Sequence, residues 1–151
     1  MCISADDSKR MKQKLKSNTM INQKLIIAVD FDGTIAKTDY PTIIKPRKGV
    51  ARALYHLRQQ GHTIIINTCR VGEHVDDARN FMLRERIPWD YFNENDPRII
   101  EAYGTDCRKI SADLYIDDRN LVKLPSWEKK VKLIQKHHAR LLGITCSCYK
   151  I

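Results

Sequence analysis

The chain has 151 residues, a formal charge of +9, 42% apolar and 30% charged residues. That composition is globular, and the length allows one substantial core but not two. No apolar stretch approaches the ~20 residues that span a bilayer, no signal-peptide pattern opens the chain, and five cysteines, an odd and mostly scattered set, fit a reducing cytoplasm better than a disulfide framework.

The charge is concentrated at the two ends. Residues 1–24 hold six Lys/Arg against two acids, residues 123–151 seven against one, and the 98 residues between them 14 against 15. Cationic ends can draw nucleic acid or another polyanion. A solvated tail and a charged helix face are the plainer reading. Residues 1–19, polar and lysine-rich without periodicity, read as a flexible basic arm, and Met20 opens the main domain, residues 20–151.

A first strand is expected over residues 24–30, because Leu25-Ile26-Ile27-Ala28-Val29 is apolar without alternation, as in a parallel sheet covered on both faces. Residues 35–46, with Tyr40-Pro41 and Lys45-Pro46, read as a polar flap. A helix follows to Gln60 with Val50, Ala53, Leu54 and Leu57 on one face, stopped by Gly61. Residues 62–67 form the second strand, and 73–86 repeat a helical pattern through Val75, Ala78, Phe81 and Met82. A third, shorter strand falls near 89–93. Asp96-Pro97 then caps a short helix ending at Gly104. Residues 112–116 are the fourth strand. Ser126 caps a last helix to about Leu142, with Trp127, Val131, Ile134, His138 and Leu141 on one stripe, and residues 146–149 are a terminal strand or a loose end. Alternating strands and helices imply right-handed βαβ units. The expected fold is α/β: three-layer and Rossmann-like, with a mainly parallel sheet and helices on both faces.

Chemistry collects at the strand ends, where ligands of such sheets bind. Asp30-Phe31-Asp32-Gly33-Thr34 places two carboxylates two residues apart, with a glycine turn directly after. Such a pair calls for a cation or a proton, and a magnesium-dependent site for phosphate chemistry is the default explanation. Thr68 and Arg70 follow the second strand, Lys109 precedes the fourth, and Asp117-Asp118 closes it. A phosphoacceptor receiver domain would place adjacent acids after its first strand and a single acceptor after its third. This chain has the spaced pair first and the adjacent pair last.

The set resembles the haloacid dehalogenase-like (HAD) superfamily of phosphotransferases over roughly residues 24–125. Its first motif is matched outright by residues 30–34, its second by Thr68, its third by Lys109 and its fourth by Asp117-Asp118. The resemblance implies a phosphoric monoester hydrolase in which Asp30 is the nucleophile and Asp32 the general acid and base. Thr68 would bond the phosphoryl group and Lys109 offset its charge. Mg²⁺ would be held by Asp30, the Asp32 carbonyl and Asp117, with Asp118 close by. Thr34 and Arg70 are substrate-binding candidates. Arg70 either clamps a second phosphate or the substrate's far end, or pairs with Asp118 or Glu73 to fix its loop.

Many members of that superfamily carry a lid domain, for which neither gap here leaves room: 33 residues (35–67) and 40 (69–108) are used up by assigned elements, so the resemblance is to a small member without a cap. Capless relatives often act on macromolecules or close the site by oligomerising, so a homo-oligomer is left open. The substrate is a small phosphomonoester or a nucleic-acid end. The segments around Thr68-Cys69-Arg70 and Asp117-Asp118-Arg119-Asn120 look somewhat like polynucleotide phosphatases, although no kinase P-loop is present. A binding module that keeps the fold without turnover is the third alternative. The expected location is the cytoplasm, without membrane attachment.

Overall fold

The structure is a computed structural model and describes residues 24–143. Its elements in chain order are β1 (Ile26–Val29), β2 (Ala36–Asp39), β3 (Thr42–Pro46), α1 (Val50–Gln59), β4 (Thr63–Ile66), α2 (Glu73–Arg84), β5 (Tyr91–Phe92), α3 (Pro97–Tyr103), β6 (Leu114–Ile116) and α4 (Trp127–Leu141). The basic arm and the segment 146–149 lie outside the described residues. The unit described here is Lys24–Gln135. No helix among the described residues is long and apolar enough to cross a membrane.

Four strands form a parallel sheet in the order β5-β4-β1-β6. Parallel neighbours need crossovers, and α1, α2 and α3 lie within the three that join them. The chain steps from β1 outward to β4 and β5, then returns to β6 on the other flank of β1. That reversal creates a switch point between β1 and β6, where the crevice beyond the strand ends opens.

β1 and β4 bury both faces, which is why their sequences do not alternate, whereas β6 at the sheet edge leaves Tyr115 exposed. Ile27, Val29, Ile64 and Ile66 enter the main core with Leu54 and Leu57 of α1, Phe81 and Met82 of α2, and Trp127 and Ile134 of α4. Ala28 and Ile65 enter a smaller cluster on the opposite face with Ile110. α3 contributes no fully buried residue.

The strands are shorter than the sequence suggests because side chains replace the ladder at their ends. His62 Nδ1 accepts from the Leu25 amide (3.1 Å), and the Asp113 carboxylate accepts from that of Ile26 (2.7 Å). Residues 35–46 correct the flap expectation: they form the antiparallel hairpin β2–β3, with a register shift between Lys37 and Thr38. Its prolines are tolerated because the hairpin is a separate two-stranded sheet with free edges. Thr42-Ile43-Ile44 supplies the β-branched run.

Candidate active site

β1 delivers Asp30 to the switch point. The Asp30 amide still donates to Ile116 O (2.9 Å), so Asp30 leaves the sheet beside the residue that precedes Asp117. Fully buried Phe31 anchors the turn, and its carbonyl accepts from the amides of Ile35 and Ala36 at 2.9 and 3.0 Å. Gly33 adopts φ +78°, and a Cβ there would fall 2.7 Å from Cγ of Asp118. Glycine is therefore required twice, by backbone conformation and by the carboxyl group lying against it.

Thr34 is 3% exposed and ties the two acidic loops together. Its hydroxyl donates to the Asp30 carboxylate and accepts from the Asp118 amide, the latter at 2.9 Å. Asp30, Asp117 and Asp118 each bring a carboxylate oxygen within 4.8 Å of the others. Among the described residues, Oδ2 of Asp30 is buried without a hydrogen-bond partner. Burial, reinforced by the charges of Asp117 and Asp118, pushes the Asp30 carboxyl up to about 7, against the lowering effect of the Thr34 hydroxyl and the Phe31 amide. An orphaned carboxylate oxygen among converging acids fits a hard, oxygen-seeking divalent cation.

Asp32 faces elsewhere. Both of its oxygens accept from Arg70, from Nε at 2.9 Å and Nη2 at 2.8 Å. Arg70 is 1% exposed, with its guanidinium carbon 5.1 Å from the Phe31 ring centroid and 5.3 Å from that of Tyr40. Its Nη1 donates to Pro41 O (3.0 Å) at the hairpin tip. Sequence reasoning offered Arg70 to substrate, or to Asp118 or Glu73. The structure pairs it with Asp32 instead, since a guanidinium enclosed by two rings requires a carboxylate at hand. Thr34, also expected to bind substrate, is hydrogen-bonded between Asp30 and the Asp118 amide.

Thr68 is 9% exposed and follows β4. Its backbone is clamped by Asn93, whose Oδ1 accepts from the Thr68 amide (2.7 Å) and whose Nδ2 donates to the Thr68 carbonyl (2.9 Å). Asn93 has φ +54°, a conformation asparagine tolerates better than most residues. Sequence reasoning missed it. Its spacing carried no signal, because the side chain acts on the Thr68 backbone. Asn95, 4% exposed, was missed as well; it binds Asp106, Cys107 O and the Ser111 amide, fixing the loop that carries Lys109.

Lys109 itself is exposed, its ammonium 5.0 Å from the Tyr115 ring centroid. Among the described residues no ion pair joins it to Asp30, Asp117 or Asp118. The structure thus brings Asp30, Asp117, Asp118 and Thr34 together, joins Asp32 to Arg70, and leaves Lys109 on a ring. A cleft of about 350 Å³ opens between the hairpin and α2, lined by Pro41, Thr42, His74 and Arg84 among others, and contains none of these acids.

No family model matches the chain, and no curated protein matches it. A solved structure does: it is described as that of a conserved protein coded by locus from Bacteroides thetaiotaomicron. The likeness has a TM-score of 0.68 at 31% identity and covers 82% of this chain and 99% of the other.

Proposed function

The chain belongs to the same family as that conserved Bacteroides thetaiotaomicron protein, and from its own site we propose that it is a Mg²⁺-dependent phosphomonoester hydrolase of HAD type. The observation that carries the reading is the convergence of Asp30, Asp117 and Asp118 at the β1/β6 switch point, where one Asp30 oxygen is buried without a hydrogen-bond partner among the described residues. We take the domain to be three-layered, without a cap, and to work in the cytoplasm, where exposed free thiols such as Cys69 and Cys107 persist.

Asp30, Asp117 and Asp118 would hold the cation, which when bound supplies the positive charge that lets a carboxylate approach a phosphoryl group. An Asp30 oxygen attacks phosphorus and the bond to the leaving oxygen breaks, giving an aspartyl-phosphate that water then cleaves. The resemblance gives Asp32 the proton transfer to the leaving oxygen and from the attacking water; to carry a proton its carboxyl would first turn out of the Arg70 contact that occupies both oxygens. Thr34 keeps Asp30 and Asp118 in register. Thr68, on a backbone fixed by Asn93, offers its hydroxyl to the phosphoryl oxygens. In the role that the resemblance gives Lys109, its ammonium would exchange the Tyr115 ring for those oxygens.

Hydrolysis of para-nitrophenyl phosphate tests the reading. Wild-type protein should turn it over with Mg²⁺ and stop with a chelator, and Asp30→Asn should be slower by more than about 10³-fold. Equal rates for wild type and variant would leave the binding-module alternative in its place.

A further inference from the structure

We propose that Arg47 and Lys130 form a second anion subsite beside the acid cluster, which holds a phosphate of the substrate other than the one cleaved. The inference rests on the phosphatase reading and narrows its substrate to molecules with at least two phosphate groups.

Arg47 is fixed directly to the turn that carries the acids, and Lys130 reaches it through Trp127. The Arg47 amide donates to Ile35 O (2.8 Å), and its Nε donates to Gly33 O (2.9 Å). Gly33 is also the residue against which the Asp118 carboxyl lies. Lys130, in the first turn of α4, donates to Pro125 O (2.8 Å), with its ammonium 4.6 Å from the Trp127 ring centroid. The Trp127 indole N–H donates to Thr34 O (3.2 Å). A Cβ at Gly49 would lie 3.9 Å from Cβ of Trp127, so the turn after Arg47 packs on the start of this helix. The carbonyls of two consecutive residues, Gly33 and Thr34, thus anchor the Arg47 guanidinium and the indole on which the Lys130 ammonium rests.

Neither cation has an acidic partner among the described residues, and Glu128 of the same helix pairs with Lys132. Burial and the neighbouring Arg47 charge both hold the Lys130 ammonium below the usual lysine range. Two like charges are retained at one place, and a polyatomic anion is what makes that arrangement favourable. The guanidinium keeps its Nη donors for a planar or tetrahedral oxyanion. The row of cations continues along the hairpin: Lys37 and Lys45 are direct cross-strand partners, an unfavourable like-charge pairing, and Lys48 is exposed beside Arg47.

The second phosphate can belong to a small bisphosphorylated molecule or to the backbone of an oligonucleotide whose terminal phosphate enters the acid cluster. Calorimetric titration of the full-length wild-type protein in Mg²⁺ buffer separates the cases without turnover when each 3′-phosphate probe carries a non-hydrolysable methylenephosphonate at that end. The probes are thymidine 3′-phosphate, thymidine 3′,5′-bisphosphate and a pentathymidylate 3′-phosphate. The bisphosphate should bind at least about tenfold more tightly than the monophosphate. Adding Lys130→Gln or Arg47→Gln should bring that ratio near unity, while Lys130→Arg should retain it, as expected of a charge-binding role rather than a folding defect. A pentanucleotide that binds tighter than the bisphosphate, with a steeper salt dependence flattened by Lys45→Gln, identifies nucleic acid. Equal affinity for both identifies a small molecule. A monophosphate that binds as tightly as the bisphosphate, or a ratio that survives Lys130→Gln, overturns the subsite. Absence of para-nitrophenyl phosphate turnover by wild type instead sinks the hydrolase reading, whatever the ratio.

Discussion

Asp30 occupies a position that is electrostatically unfavourable without a cation. Its carboxyl is pushed up to about 7, burial first and the two neighbouring acids second, whereas in the unfolded chain it titrates near the ordinary aspartate value of about 4. Between those limits the folded state binds the extra proton, so metal-free stability falls as pH rises from about 4 to about 7. Urea unfolding in chelator at pH 5 and pH 8 should show wild type losing stability across this interval. Asp30→Asn should be the more stable of the two at pH 8, and Mg²⁺ should reverse the order by binding only the native wild-type site. A wild-type protein as stable at pH 8 as the variant, without metal, would contradict the burial of this charge. The acids themselves were legible in sequence, because a spaced pair and an adjacent pair each follow an unbroken apolar run. Asn93 was not: it works through the Thr68 backbone, and a side chain that imitates a strand partner leaves no spacing to recognise. Arg70 stands 38 residues from Asp32, and neither charge indicated which of several candidates would be the partner.

Among the elements, the β2–β3 hairpin departs furthest from what its sequence suggests. Two prolines and five charged or polar neighbours read as a flap, yet the strand pairing brings Tyr40 and Pro41 over Arg70. One buried guanidinium therefore joins the acid turn, the hairpin tip and the loop after β4. Arg70→Ala should destabilise the protein by about 2–4 kcal/mol, slightly below the usual loss for breaking a buried pair because the Asp32 side chain is 30% exposed. Hydrogen exchange should quicken through β2 and β3 specifically. Arg70→Lys should recover only part of the loss, since an ammonium cannot reproduce the two-pronged contact. Uniform exchange across the hairpin in wild type and Arg70→Ala would remove this linking role. The first helix was read more faithfully, since Val50, Ala53, Leu54 and Leu57 are all buried, as their spacing requires; the stripe expected on the last helix is buried only at Trp127 and Ile134, with Leu141 exposed.

For the whole molecule, strand order decides whether the chemistry exists. Alternating strands and helices indicate a parallel sheet, but not which strands are neighbours. The order β5-β4-β1-β6 seats β1 beside β6, and only that adjacency lets residues 30, 117 and 118 meet. The placement of Lys109 on Tyr115 was beyond the sequence because its loop is shaped by Asn95 and by Tyr115, whose hydroxyl donates to Ile110 O at 2.5 Å. The most direct test of a shared divalent cation is anomalous diffraction from crystals of the protein soaked in Mn²⁺. The account predicts a single strong peak within about 2.5 Å of carboxylate oxygens from both Asp30 and Asp117, lost in Asp30→Asn. A cluster that stays free of manganese at saturating concentration, or a peak bound only by surface carboxylates elsewhere, would contradict it.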